Sequence, residues 1–161
     1  MKQLLILAAI VLGISVAFGQ KDSVKVFKYV NDMTDKSYWM TSISCFAVSE
    51  TDENKGLIID PSITSDAKSV RAFIVTSYKL GNCNENNTLI FKFNDGSKVK
   101  LRSWNEFSCK NSYFNVTGVL ADKLKNVEVE KIYYQNGRTY DSGTFPLDNP
   151  RYFIQIYKGL K

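Results

Sequence analysis

The sequence predicts an all-β protein, an antiparallel β-sandwich of eight or nine strands with one short helix near residues 118–126. Three observations favour this fold class. Runs of β-branched and aromatic residues recur at short intervals, clusters of Gly, Asn, Asp and Pro separate them, and a sustained helical period is almost absent. An eight-stranded β-barrel is the alternative, because the number of strands fits either architecture.

The predicted elements follow one another along most of the chain. Strands are expected at residues 24–30, 38–48, 57–60, 69–80, 88–93, 97–103, 112–117, 127–135 and 151–157. Turn-forming residues predict loops at 51–56, 60–66 and 147–150. Along the strand at 69–80, one face is apolar throughout and the other is mixed. Phe73 and Val75 lie in the middle of the mixed face, which suggests that a loop or a second sheet partly covers it.

The N-terminal segment has the order of a secretory signal peptide. A lysine at position 2 precedes an uncharged run at 4–18, and small residues precede Gln20. The run is shorter than the roughly 20 residues that a membrane span needs. We therefore expect residues 1–19 to be removed by cleavage near Gly19/Gln20. Residues 20–161 are then a single β domain without an integral membrane segment, secreted or periplasmic.

Composition excludes several kinds of chemistry. The chain has no histidine, which rules out Ser-His-Asp and Cys-His catalysis and His-ligated metals. Neither a phosphate-binding loop nor an EF-hand spacing is present, so we predict no catalytic residues, metal or cofactor. The net charge of +5 is mild and interspersed with acidic residues, so nucleic acid is not an expected partner.

The stretch FKFNDGSKVKLRSW, residues 91–104, predicts a β-hairpin. Residues that oppose each other on antiparallel strands share a face, so a two-residue Asp-Gly loop would mix core and surface residues along the whole hairpin. A three-residue loop at 94–96 instead pairs Phe91 with Val99 and makes each face coherent.

The outer face of this hairpin then carries Lys92, Lys98, Lys100, Arg102 and Trp104. Lys92 lies opposite Lys98, which costs up to about 1 kcal/mol unless an anion or a neighbouring carboxylate relieves it. Two interpretations stay open. The face is either a solvated surface whose lysines discourage edge-to-edge aggregation, or a basic platform for an acidic glycan or an acidic envelope protein, with Trp104 as a stacking surface.

Three cysteines in an exported domain allow one internal disulfide. Extending the hairpin register places Cys83 and Cys109 one step apart beyond its base, which predicts a Cys83–Cys109 disulfide. Such a bond contributes roughly 3 to 4 kcal/mol on the chain-entropy model. Cys45 is expected to be a small buried hydrophobic residue.

Paired carboxylates are the one enzymatic route that the composition leaves open. Glu128 and Glu130 share a face of a predicted strand, and Asp95 and Glu106 flank the basic hairpin. This arrangement raises the hypothesis of a carboxylate-dependent hydrolase. Glutamates that alternate with valines are also typical of any half-buried strand.

The stretch NENNTLIFKFNDGSKVKLRSWNEFSC, followed by VEVEKIYYQNGRTYDS and RYFIQIY, resembles small exported proteins of the Bacteroidota type that carry a similar ENN…DG…SWN.F.C…QNGR pattern. The resemblance covers residues 84–157. It implies a bacterial periplasmic or secreted setting and no particular activity. The QNGR segment also predicts a turn in which Asn136 and Gly137 adopt positive φ values.

Together these features predict an exported, non-enzymatic binding or structural module of the bacterial cell envelope. Recognition of an acidic ligand by the basic hairpin is the specific hypothesis. A lipocalin-like carrier of a small apolar ligand, which the strand count permits, and the carboxylate hydrolase are the alternatives.

Overall fold

The computed structural model describes residues 23–104 and 108–160. Within these residues the chain forms ten strands and two short helices. The strands are β1 (Val26–Asn31), β2 (Lys36–Thr41), β3 (Cys45–Val48), β4 (Gly56–Ile63), β5 (Val70–Tyr78), β6 (Thr88–Phe93), β7 (Lys98–Arg102), β8 (Ser112–Asn115), β9 (Val129–Gln135) and β10 (Ser142–Pro146). The helices are α1 (Gly118–Asn126) and α2 (Tyr152–Gly159). The predicted signal peptide at 1–19 and Glu106 lie outside the described residues.

The described strands pair antiparallel in three sheets. One four-stranded sheet has the order β10-β9-β6-β7 and a second has the order β3-β4-β5-β8, while β1 and β2 form a separate two-stranded ribbon. Both larger sheets are open and end in edge strands. The predicted β-sandwich is therefore confirmed, and the alternative of an eight-stranded barrel is wrong. The described strands number ten rather than the expected eight or nine, and β10 lies where no strand was predicted.

The core lies between the two four-stranded sheets. Phe73 on β5 and Phe91 on β6 are completely buried, and their ring centroids are 5.6 Å apart. Phe153 of α2 packs edge-on against both rings, at 5.3 Å and 5.6 Å. The face of β5 that carries Phe73 and Val75 is therefore the core face, covered by the second sheet. Ile74 on the opposite, more apolar face is only half-buried.

Residues 151–157 were expected to form a strand, and this prediction was wrong, because most of them belong to α2. A short apolar run cannot be assigned to strand or helix by periodicity alone. The Asn149 carbonyl accepts the Tyr152 N–H at 3.0 Å, which starts the helical turn directly after Pro150. Helical spacing then places Tyr152 and Ile156 in the interior together.

Two further strand boundaries differ from the expectation. The predicted strand at 38–48 is divided between β2 and β3, which belong to different sheets. β4 continues to Ile63 through residues expected to form a loop. This is possible because β3 pairs with β4 only as far as Ile59, so Pro61 lies beyond that pairing.

The short helix and the disulfide are where the sequence predicts them. The Thr117 side chain caps α1 by accepting the Leu120 N–H at 3.3 Å. Cys83 and Cys109 form a disulfide, which is compatible with an extracellular or periplasmic protein. Cys45 is buried, and burial together with nearby carboxylates raises the pKa of its thiol to about 12. Neither α1 nor α2 has the length and apolar character of a membrane-crossing helix.

Candidate functional site

The β6–β7 hairpin has the predicted register. Phe91 pairs with Val99, and the loop at 94–96 is closed by a hydrogen bond from the Phe93 N–H to the Ser97 carbonyl at 3.0 Å. Gly96 has a φ of +82°, as a type I turn followed by a left-handed glycine requires. The inner face of the hairpin is therefore part of the core, and its cations lie outside.

The outer face of this sheet gathers cations from three strands. Lys98 on β7, Lys92 on β6 and Lys131 on β9 form one row across the sheet. Lys100 and Arg102 continue along β7, and both are exposed. We call this surface the basic face and define it by Lys92, Lys98, Lys100, Arg102 and Lys131.

An apolar centre lies within the basic face. Ile90 on β6 pairs with Tyr133 on β9, and Lys100 occupies the neighbouring position on β7. A shallow depression of about 310 Å³ covers this region. Its lining residues are Ile90, Lys92, Lys98, Lys131, Tyr133 and Thr144.

Two of the five cations are paired with carboxylates. Lys92 Nζ lies 2.6 Å from Glu130, and Lys131 Nζ lies 3.2 Å from Glu50 and 3.7 Å from Glu130. The hydrogen bond from Lys92 lowers the pKa of Glu130, and the bond to Glu50 raises the pKa of Lys131. Glu130 thus offsets part of the repulsion between the opposed lysines, because it pairs with Lys92 and not with Lys98.

The other three cations of the basic face lack such carboxylate partners among the described residues. Lys98, Lys100 and Arg102 make no ion pair or side-chain hydrogen bond with any of the residues that the structure describes. They follow one another at alternate positions of β7, which is an edge strand of its sheet. This line of exposed positive charge is available to an anionic ligand.

A β-bulge in β9 places Lys131 and Tyr133 on the basic face, where strict alternation does not predict them. Phe93 pairs with Val129 but Lys92 pairs with Lys131, so Glu130 is an extra residue in β9. Strict alternation from Val129 would have turned Lys131 and Tyr133 toward the core. The available signal was the spacing of Val129 and Ile132, both buried and three residues apart with two charged residues between them.

Trp104 is separated from the depression on the basic face. Its backbone N–H donates to the Tyr113 carbonyl at 3.0 Å, and the two ring centroids are 5.5 Å apart. It lines a different depression, of about 500 Å³, together with Arg71 and Ile74 on the outer face of the β3-β4-β5-β8 sheet. The predicted site residues therefore divide into four cations on one sheet and a tryptophan beside the other.

The carboxylates of the hydrolase hypothesis each have their own partners. Asp95 pairs with Lys123 at 2.6 Å, and Glu128 accepts a hydrogen bond from Asn94 at 3.0 Å. The hydrogen bond from Lys123 lowers the pKa of Asp95. A carboxyl group that acts as a general acid needs a raised pKa, so these contacts do not support the hydrolase hypothesis. Among the described residues, His, Cys, Asp and Glu side chains form no group of three that could hold a metal ion.

The carrier hypothesis gains no support either. It requires an enclosed cavity between the sheets, and the space there is occupied by packed rings such as Phe73, Phe91 and Phe153. The two depressions described above lie on the outer faces of the sheets, open to solvent.

The ENN and QNGR segments meet in a buried polar network. Asn87 donates from Nδ2 to Ser112 Oγ at 2.7 Å, and its Oδ1 accepts the Gly137 N–H at 2.9 Å. The Tyr134 hydroxyl donates to Asn84 Oδ1 at 2.8 Å and lies 3.3 Å from Ser112 Oγ. This network joins the two sheets, so the residues of the pattern that form it have a structural role.

Gly137 is required by close packing rather than by backbone conformation. Neither Asn136 nor Gly137 has a positive φ, so that expectation was wrong. A Cβ atom at Gly137 would clash with the Glu85 carbonyl oxygen. Asn136 is completely buried and donates from Nδ2 to the carbonyls of Leu80 and Cys83.

No protein-family model matches the chain, and no curated protein or solved structure is significantly similar to it. Function is therefore inferred from the chemistry of the two outer sheet faces.

Proposed function

We propose that the protein is an exported, non-enzymatic binding module of the bacterial cell envelope that recognises an acidic glycan through the basic face. The observation that supports this proposal best is the line of Lys98, Lys100 and Arg102 along β7, exposed and without an acidic partner among the described residues.

The charge arrangement favours a ligand over simple solvation. Solubility is best served by interspersed charges of both signs. Here Lys92 has a lysine opposite it on each neighbouring strand, and each like-charge pair costs up to about 1 kcal/mol. Glu130 offsets part of this repulsion. A polyanion lying across β7 would remove the rest, through several contacts that are individually weak.

The centre of the face suits a sugar. Tyr133 presents an aromatic ring beside Ile90, with cations around both. Aromatic side chains provide contact area together with a polar end. The C–H face of a sugar ring can lie on such a surface while its carboxylate or sulfate groups reach the lysines. An acidic envelope protein offers the same charges without this match to the apolar centre.

The expected setting is the envelope of a bacterium. The resemblance of residues 84–157 to exported proteins supports this setting, and so does the disulfide, since such bonds persist in oxidising compartments. The destination after export stays a prediction.

Affinity chromatography tests the proposal. We expect the wild type to be retained on immobilised polygalacturonate or hyaluronan, to elute as NaCl rises, and not to be retained on neutral dextran. The Lys98→Glu/Lys100→Glu variant should lose retention. Lys25→Glu/Lys28→Glu is the matched control, because it makes the same change in net charge on two exposed residues in and next to β1, away from the basic face.

Thermal unfolding of each variant checks that the fold is intact. Equal retention of the two double variants would contradict the proposal, because binding would then follow net charge alone. Failure of the wild type to bind any acidic polysaccharide would also contradict it.

A further inference from the structure

A long open groove crosses the outer face of the β3-β4-β5-β8 sheet, which faces away from the basic face. It consists of two adjoining depressions, of about 670 Å³ and about 500 Å³, which share Ser62, Arg71 and Ile74. The larger depression is bounded by β2 and includes Trp39, and the smaller one ends at Trp104. Each volume lies within the range typical of ligand sites, about 300–1,000 Å³.

The ribbon of β1 and β2 makes one wall of this groove. β2 lies against β4, and Trp39 Nε1 donates to the Ser65 carbonyl at 3.0 Å, which holds the indole beside the end of β4. The rest of the ribbon is largely exposed on both sides. The wall is therefore in place before a ligand arrives.

Aromatic rings stand at both ends of the groove. Tyr38 and Trp39 line the end beside the ribbon, and Trp104 and Tyr113 line the end at β8. Trp104 is 59% exposed, although tryptophan is ordinarily among the more buried residues. Between the two ends the groove crosses β4, β5 and β8, about 10 Å at the usual strand spacing.

The polar lining is mixed and balanced in charge. Asp60 and Arg71 are the charged residues among those that line the groove. Neither side chain forms an ion pair or a hydrogen bond with any residue in the described parts of the chain. One acceptor and one donor of opposite charge suit a neutral ligand that carries many hydroxyl groups. Ser62 and Asn115 add further hydrogen-bonding groups.

We propose that this groove binds a neutral oligosaccharide. The sugar rings of this ligand stack on Trp39 and Trp104, and the sugar hydroxyls hydrogen-bond to Asp60 and Arg71. An open groove accepts a chain of several sugars, whereas an enclosed pocket would accept one small molecule. The site lies on a different sheet from the basic face and selects a ligand of different charge, so it is independent of the proposed function.

Tryptophan fluorescence reports on this groove directly. The chain contains two tryptophans, and both line the groove. We expect at least one of four neutral hexasaccharides, from β-1,4-glucan, β-1,4-mannan, chitin and α-1,4-glucan, to shift the emission saturably with a dissociation constant of ~1 mM or below.

Variants then locate the binding. Trp104→Ala and Asp60→Asn should each weaken binding of that hexasaccharide about tenfold, measured by isothermal titration calorimetry. Trp104→Phe should retain most of the affinity because it keeps an aromatic ring. Met33→Ala, which changes a residue 93% exposed at the tip of the ribbon, is the control and should bind as the wild type does.

Two results would overturn the assignment. One is that none of the four hexasaccharides shifts the tryptophan emission saturably. A groove that responds to an extended peptide but to none of these sugars would be such a result. The other is unchanged affinity in both Trp104→Ala and Asp60→Asn. The Lys98→Glu/Lys100→Glu variant should bind the hexasaccharide normally, so the two sites can fail separately.

Discussion

Replacing Asn87 by alanine should destabilise the protein strongly, although this residue lines neither proposed binding site. Asn87 is completely buried, and its side chain makes two hydrogen bonds, to Ser112 Oγ and from the Gly137 N–H. Alanine has no side-chain donor or acceptor, so both hydrogen bonds are lost. Ser112 is also completely buried, so water cannot readily replace the lost amide.

The magnitude follows from the two groups that lose a partner. A buried donor or acceptor left unsatisfied costs about 1–3 kcal/mol. The Gly137 N–H loses its acceptor entirely, whereas Ser112 Oγ keeps the Tyr134 hydroxyl 3.3 Å away. We therefore expect the free energy of unfolding to fall by about 2–4 kcal/mol, since one of the two losses is partly compensated.

Urea denaturation with linear extrapolation measures this change. The matched control is Asn82→Ala, in the same loop but exposed, which should change the free energy of unfolding by no more than about 0.5 kcal/mol. Equal stability of the two variants would refute the reasoning, because it would show that the network does not hold the sheets together. Retention of folded Asn87→Ala on an acidic polysaccharide should match that of the wild type.

Three further predictions concern the core, the basic face and the free thiol. Phe153→Ala should lower the free energy of unfolding by about 3–5 kcal/mol, measured by the same urea titration, because it opens a cavity among the core rings. Glu130→Gln should delay elution from polygalacturonate to higher salt, since it removes the carboxylate that pairs with Lys92, while Lys131 keeps its closer partner Glu50. Because the pKa of Glu130 is lowered, its ion pair with Lys92 should contribute its full stability at pH values above the ordinary carboxyl pKa. This contribution should be lost as the pH falls from there through the lowered pKa, so acid unfolding of the wild type and of Glu130→Gln should differ above this range and converge below it. Cys45, with its pKa raised to about 12, should react with a thiol reagent only after unfolding.

The hairpin shows what local pattern can predict. Its register depends on residues only a few positions apart, because antiparallel neighbours must share a face and a glycine must occupy the left-handed position of the loop. Extending the same pairing beyond the base of the hairpin also predicted the Cys83–Cys109 disulfide. Helix α1 was equally local, with a Thr117 cap and Leu120 and Leu124 one turn apart.

Other features depend on packing between distant segments. The apolar run at 151–157 became a helix because the space beside Phe73 and Phe91 accepts the Phe153 ring edge-on. The bulge at Glu130 turned Lys131 outward and enlarged the basic face. Neither outcome can be deduced from alternation, since alternation assumes an uninterrupted strand.

By itself the sequence determined the all-β class, the hairpin with its line of cations and the chemistries that a chain without histidine cannot perform. Those features follow from residue type and from spacing within one element. Only the tertiary structure decided that Trp104 leaves the basic face and joins Trp39 in a groove on the other sheet. The chain crosses between sheets after Arg102, and which surface a residue joins at such a crossing depends on contacts with strands far away in the sequence.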